Sequence, residues 1–349
     1  MLPYRGRFPV FDTQRIRLYP LAERRSKVGL ESLKLPEDVG TEAPEPPSAE
    51  IRAVAQAAGE ARRQGRPVVV FTGAHLIKNG FGPLLRNLVE RGVVTLAAMN
   101  AAGMIHELEL ALVGRTSEDV PRALPRGEFG FARETGTLLN AALGHGERIK
   151  VGAGEALGRL ITGEPFPEAV AFPHERLSVA AGGWRAGVPI TMHAAIGTDI
   201  IDQFPDWDPA AKGGCSGRDF LIFCAEIERM AEGGVFINIG SAVTGPEVFL
   251  KACSMCANVG RPPRRIVTAS LDLKPADPAA VENAAHAGYY QRDVKSVVVR
   301  VPRAFGGQGY YIEGDHRFTV PALYRALVAA RAGGPAESAI PVRGPTRLP

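Results

Sequence analysis

The sequence predicts an α/β protein with a Rossmann-like, mostly parallel sheet and helices on both faces. Two observations carry this expectation. Apolar runs such as Val68-Val-Val-Phe71 and Val235 to Ile239 lack polar alternation, so they read as strands buried on both faces, and stretches of helical period separate them. The residues just past each run are small or polar, as in Thr72-Gly-Ala74, at the place where an open α/β sheet holds its ligands.

Composition agrees with a folded soluble chain. Of 349 residues 45% are hydrophobic and 22% charged, with 41 basic against 37 acidic side chains. The resulting charge of +4 is spread without a basic block, so no nucleic-acid partner is expected. No apolar run approaches the roughly 18 to 20 residues of a membrane-spanning helix, and the first residues lack the apolar core of a signal peptide, so the expected compartment is the cytoplasm, with no membrane partner. The four cysteines, Cys215, Cys224, Cys253 and Cys256, read as buried packing residues: Cys253 and Cys256 share one helix face, and no second C-x-x-C pair exists to complete a zinc site.

Taken in order, residues 1–48 mix arginine with proline-rich polar stretches and show no period, which suggests an N-terminal arm packed on a neighbour. Residues 49–335 read as a single α/β nucleotide-binding catalytic domain, and residues 336–349 as a C-terminal tail. Within the domain a helix to Arg63 leads to the Val68 strand. Then come a helix from Phe81 to Glu90, a strand from Val93 to Met99, a helix from Met104 to Leu112, a helix near Glu134 to Leu143 and a strand candidate at Ile149 to Val151. The second half alternates: strand Val188 to Met192, helix Arg218 to Met230, strand Val235 to Ile239, helix Pro246 to Asn258, strand Arg265 to Ser270. Late strands are expected at Ser296 to Val301 and Tyr310 to Glu313, before a last helix from Val320 to Ala330. Strands of this kind alternating with helices mean βαβ units.

The strand ends then select the candidate site. They are Thr72 to Gly80, Asn100-Ala-Ala-Gly103, His193 to Asp202, Gly240 to Gly245 and Leu271-Asp272. Small residues let backbone N–H groups approach a phosphate, and both Thr72 to Gly80 and Gly240 to Gly245 fit, although neither is a G-x-G-x-x-G or Walker motif. Asp199, Asp202, Asp206 and Asp208, interleaved with Phe204 and Trp207, would suit a cationic ligand; they equally suit a helix N-terminus with a solvated loop, or a divalent metal together with His193. His75, His193 and His316 fall in strand-end loops, and no G-x-S-x-G elbow is present.

At these segments the chain resembles the deoxyhypusine synthase family, NAD-dependent enzymes that transfer the aminobutyl group of spermidine to a lysine of a translation factor. The likeness runs from about residue 68 to 328, through Ala74 to Gly80, Asn100 to Leu108, Gly197-Thr-Asp-Ile-Ile-Asp202, Ile237 to Val243 and Tyr311-Ile-Glu-Gly-Asp-His316. It implies NAD contacts near Gly73, Ala74, His75, Asn100, Ala101, Ala102, Gly240, Ser241 and Asp315, to which Asp272 is added as a strand-end residue. It implies a polyamine or other small cationic substrate at Asp202, joined by Asp199 and Trp207, and a homotetramer. The family's imine-forming lysine has no counterpart in Val299-Arg-Val-Pro-Arg-Ala-Phe305, and arginine cannot replace it as a nucleophile. Lys295 is the nearest lysine, and His193 or Glu247 would serve as proton acceptor. Modification of the translation factor itself is therefore not expected; oxidation of a cationic substrate, with or without group transfer, is. The alternatives are an NAD or nucleotide sensor without turnover and a metal-dependent hydrolase using loop 193–208.

Overall fold

The structure is a computed structural model and describes residues 4–40 and 46–332; the tail expected at 336–349 lies outside the described residues. Strand β1 (Ser26–Gly29) is followed by helix α1 (Ala49–Arg63), which begins where Ser48 Oγ accepts from the Ile51 N–H. Strand β2 (Val68–Thr72), helices α2 (Ala74–Lys78) and α3 (Gly82–Glu90) and strand β3 (Leu96–Asn100) come next. Asn100 caps helix α4 (Ala101–Val113) by accepting from the Gly103 N–H at 3.0 Å. Gly114 ends that helix in the left-handed region. Strand β4 (Arg115–Glu118) then pairs with β1, and helices α5 (Val120–Ala123), α6 (Arg133–Ile149), α7 (Ala153–Ile161) and α8 (Val179–Ala186) lead to strand β5 (Ile190–His193). The remainder runs α9 (Pro209–Glu228), β6 (Val235–Ile239), α10 (Thr244–Asn258), β7 (Val267–Asp272), α11 (Val301–Ala304), β8 (Gln308–Glu313) and α12 (His316–Ala332).

Among the described residues six strands form one parallel sheet in the order β5-β3-β2-β6-β7-β8. Numbered among themselves, these strands follow the doubly wound order 3-2-1-4-5-6, so the fold is Rossmann-like, as the sequence predicts. The period of two sorts the strand residues between two cores. Val68 and Val70 pack with α1, α3 and α12; Val69 and Phe71 pack with Phe223 of α9 and Phe249 of α10.

Three stretches differ from expectation. Residues 296–301 are not a strand: Asp293–Arg300 is a π-helical segment continuing into α11. β7 and β8 are adjacent and parallel, so the chain between them must cross one sheet face, and that topology overrides the β-propensity of Val297-Val-Val299. Ile149 closes α6 rather than opening a strand, with Lys150 left-handed at its end. In the opening segment Leu21 is buried, and Arg24, 5% exposed, makes a paired bridge to Glu109 of α4. Glu109 also accepts from Thr116 Oγ1 at 2.5 Å and Thr135 Oγ1 at 2.9 Å. This part of the segment therefore packs on its own chain, through short turns and one strand too brief to show a period.

Asp219 of α9 joins three elements. Its Oδ2 accepts from the Gly154 N–H of α7 at 2.9 Å and the Met192 N–H of β5 at 2.8 Å. Burial pushes its pKa from 3.8 up to about 7, against the pull of those donors. The native state then holds a proton that the unfolded state has lost, so stability falls as pH rises from about 4 to about 7, with a slope near 1.4 kcal/mol per pH unit from this group. Urea unfolding at pH 4.5, 6 and 7.5 should show Asp219→Asn flattening that slope by one proton. Asp219→Ala should lose about 2–5 kcal/mol throughout, because two buried N–H groups lose their acceptor.

Candidate functional site

The order of strands reverses between β2 and β6, and the loops leaving these two strands touch. The Gly73 N–H donates to Ile239 O at 3.0 Å, and a Cβ at Gly73 would lie 2.3 Å from Gly240 O. Gly240 is left-handed, at φ 60°, and a Cβ there would lie 2.7 Å from Cε1 of His316. Ser241, itself buried, fixes the turn: its Oγ accepts from the Gly245 N–H at 2.9 Å, and its carbonyl accepts from Asn238 Nδ2 at 3.0 Å.

Beside this junction a cleft of about 810 Å³ opens at the carboxyl ends of β2, β6, β7 and β8. Of the residues expected from sequence, His75, Gly240, Asp272 and Asp315 line it; Gly73, Ala74 and Ser241 are only neighbours in the chain of His75 and Gly240. His316 Nε2 lies 3.3 Å from Leu271 O. His75 has its pKa lowered by burial, with Lys78 and His316 adding to the effect. Arg317 holds the Asp315 carboxylate through both oxygens, at 2.7 to 3.1 Å, and keeps its pKa down at about 2. Asp272 Oδ1 accepts from the Lys274 N–H at 3.1 Å. A smaller cavity of about 230 Å³ lies by Tyr19, Arg24 and Glu118, where the groups bond one another, as in Tyr19 Oη donating to Glu118 Oε1 at 2.9 Å.

The other expected residues fall elsewhere. Asn100, Ala101 and Ala102 stand at the β3 tip, with the Asn100 side chain committed to capping α4. His193 is neighbour to Asn100 in the sheet but only 5% exposed, its ring between Phe71 and Phe223 and its pKa pushed down by burial to about 3. Glu247 pairs with Lys251 and lies 3.7 Å from Arg292. Lys295 does not line the cleft: it is 1% exposed, its Nζ 3.1 Å from the centroid of the Tyr289 ring, and burial lowers its pKa.

Asp199 and Asp202 do come together, but the cation between them belongs to the chain. Lys212, fully buried on the first turn of α9, places Nζ 2.7 Å from Asp199 Oδ2, 2.6 Å from Asp202 Oδ1 and 3.1 Å from Ala195 O. A substrate amine would have to displace it. Asp206 accepts from Asn140 Nδ2 at 3.3 Å, and Asp208 caps α9 through the Ala210 and Ala211 N–H groups. The Trp207 main-chain N–H donates to Phe204 O within the same turn. Among the described residues no three histidine, cysteine or carboxylate side chains converge as metal ligands.

Lys34, Lys78, Lys274 and Arg317 line the cleft and were not among the expected site residues. Lys78 lies inside the Thr72 to Gly80 turn, and Lys274 and Arg317 each lie two residues beyond a strand-end aspartate, so these three carried a local signal. Lys34 carried none; only the fold brings it to the sheet.

No family model and no curated protein matches the chain. Solved structures resemble it distantly. ArgZ, an arginine dihydrolase from the ornithine-ammonia cycle in cyanobacteria, aligns at 15% identity and a TM-score of 0.45 over 79% of this chain and 32% of its own. A conserved protein from Methanococcus maripaludis S2 designated LOR/SDH aligns at 15% identity and 0.46, over 85% of this chain and 74% of its own. A protein from Entamoeba histolytica designated a deoxyhypusine synthase aligns at 9% identity and 0.43, over 80% and 88%. The chain thus spans about a third of ArgZ's length.

Proposed function

We propose that this chain is an NAD-type dinucleotide-binding enzyme that works by hydride transfer, the dinucleotide lying across the junction of β2 and β6. One observation carries the reading: a cleft of about 810 Å³ opens where the strand order of a doubly wound sheet reverses. Gly73 and Gly240 hold the two strand tips together beside that cleft, since a Cβ at Gly73 would meet Gly240 O and one at Gly240 would meet His316 Cε1. NAD, when bound, supplies the hydride chemistry. The chain's residues bind and orient: Gly240 presents backbone, and Asp272 and Asp315 offer carboxylates to ribose hydroxyls. His75 and His316 are the imidazoles placed to exchange a proton with a substrate in the cleft.

Titration of the protein into NADH tests this by nucleotide fluorescence. Saturable enhancement is expected with an affinity in the micromolar to millimolar range usual for enzyme ligands. A flat response to NADH, with none to ADP-ribose by calorimetry, would sink the dinucleotide reading.

A further inference from the structure

The chain has eight lysines. Five are engaged. Lys27 pairs with Asp119, Lys150 with Glu147, Lys212 with Asp199 and Asp202, and Lys251 with Glu247, while Lys295 lies over the Tyr289 ring. The other three, Lys34, Lys78 and Lys274, make no side-chain ion pair or hydrogen bond among the described residues, and all three line the same cleft.

They arrive from separate elements. Lys34 belongs to the opening segment, which is tied to the site by its N–H donating to Gly80 O at 2.9 Å. Lys78 ends α2, and Lys274 follows β7. Arg317 is a fourth cation, already shared with Asp315, and Asp272 is the remaining carboxylate of the lining. With the histidines neutral, the lining keeps an excess of two positive charges in one concavity, half of the formal charge of the whole chain. Like charges gathered in a concave site repel one another and raise the local potential, which an arriving anion relieves. A surface indifferent to ligands would scatter its free lysines or pair them with its 37 acidic groups.

We propose that this cleft takes a phosphate-bearing anion, held by Lys34, Lys78 and Lys274, and that a polyamine carries the wrong charge for it. The inference rests on the cleft being the ligand site, as in the reading above, but not on the ligand being a dinucleotide. The phosphate has two sources, the pyrophosphate of the dinucleotide or a separate phosphorylated substrate, and their recognition chemistry is the same.

Calorimetric titration of the full chain with inorganic pyrophosphate, NADH and spermidine, at low and high salt, separates the outcomes. Pyrophosphate is expected to bind, to weaken as salt rises, and to lose at least about tenfold in affinity in the Lys78→Met/Lys274→Met variant. Lys34→Met, on an exposed side chain, should show the same direction with the fold untouched. Competition between pyrophosphate and NADH assigns the phosphate to the dinucleotide. Pyrophosphate binding to NADH-saturated protein assigns it to a second, phosphorylated substrate. Pyrophosphate binding without NADH binding overturns only the dinucleotide reading. Absence of pyrophosphate binding, equal affinity in wild type and lysine variants, or spermidine competing for the cleft overturns the anion proposal.

Discussion

Replacing Lys212 with methionine is expected to cost the fold about 3–5 kcal/mol, the usual result of removing one partner from a buried ionic cluster. Lys212 is fully buried, and the side chains of Asp199 and Asp202 are 10% and 4% exposed. The ammonium is the group that makes two such carboxylates tolerable side by side. Burial already raises the pKa of Asp199, with Lys212 pulling it back down. Without Lys212 that pull is gone, and the variant's pair retains a proton that the unfolded chain releases. Stability of Lys212→Met should therefore fall as pH rises above the ordinary carboxylate range, making the deficit against wild type larger at pH 8 than at pH 5. Urea unfolding at both values measures it. The triple variant with Asp199→Asn and Asp202→Asn should recover much of the loss, since it removes the charges that Lys212 neutralised. Putrescine should raise the urea midpoint of Lys212→Met and leave wild type unchanged if loop 194–202 can accept an external amine. A wild-type midpoint for Lys212→Met at pH 8 would refute the role of Lys212 as buried counter-ion.

That lysine also marks the limit of what could be read from sequence. Strands buried on both faces declare themselves, so β2, β6 and the order of βα units were legible from Val68-Val-Val-Phe71 onward. The cleft was half legible: the residues after each strand must converge at one end of a parallel sheet, which brought His75, Gly240, Asp272 and Asp315 together. The acidic loop was visible as charge, but its partner sits 10 residues beyond Asp202 in the first turn of a helix, where a lysine looks like an ordinary surface residue. Only tertiary packing turns it inward. The Val297-Val-Val299 run fails differently: its composition is that of a strand, and its conformation is dictated by where β7 and β8 lie. Lys34 stands more than 30 residues before the first strand of the sheet, and no local pattern ties it to a cleft built by later elements.

Gly73→Ala is expected to disable nucleotide binding and to destabilise the fold by about 1–3 kcal/mol, the range for forcing a methyl into a packed site. The cause is steric alone. Gly73 has φ −79°, a conformation open to alanine, so no backbone strain enters. The added Cβ would meet Gly240 O at 2.3 Å and Gly240 C at 3.1 Å, both main-chain atoms with no rotamer to yield. Relief requires β2 and β6 to part at their tips, against five register pairs and the Gly73 N–H bond to Ile239 O. The parting would displace Gly240, and with it the wall that His316 packs on, so NADH and pyrophosphate affinity should both fall by at least about tenfold. Gly213→Ala is the matched control. Gly213 lies within α9, where a new Cβ meets nothing within 4 Å, and the same methyl there should stabilise by about 0.5–1 kcal/mol through helix propensity. Opposite signs from one chemical change, read as urea midpoints alongside the two titrations, would tie the loss at Gly73 to the contact between the two strand tips. A Gly73→Ala protein with wild-type midpoint and wild-type NADH affinity would mean that this contact neither locks the sheet nor shapes the site.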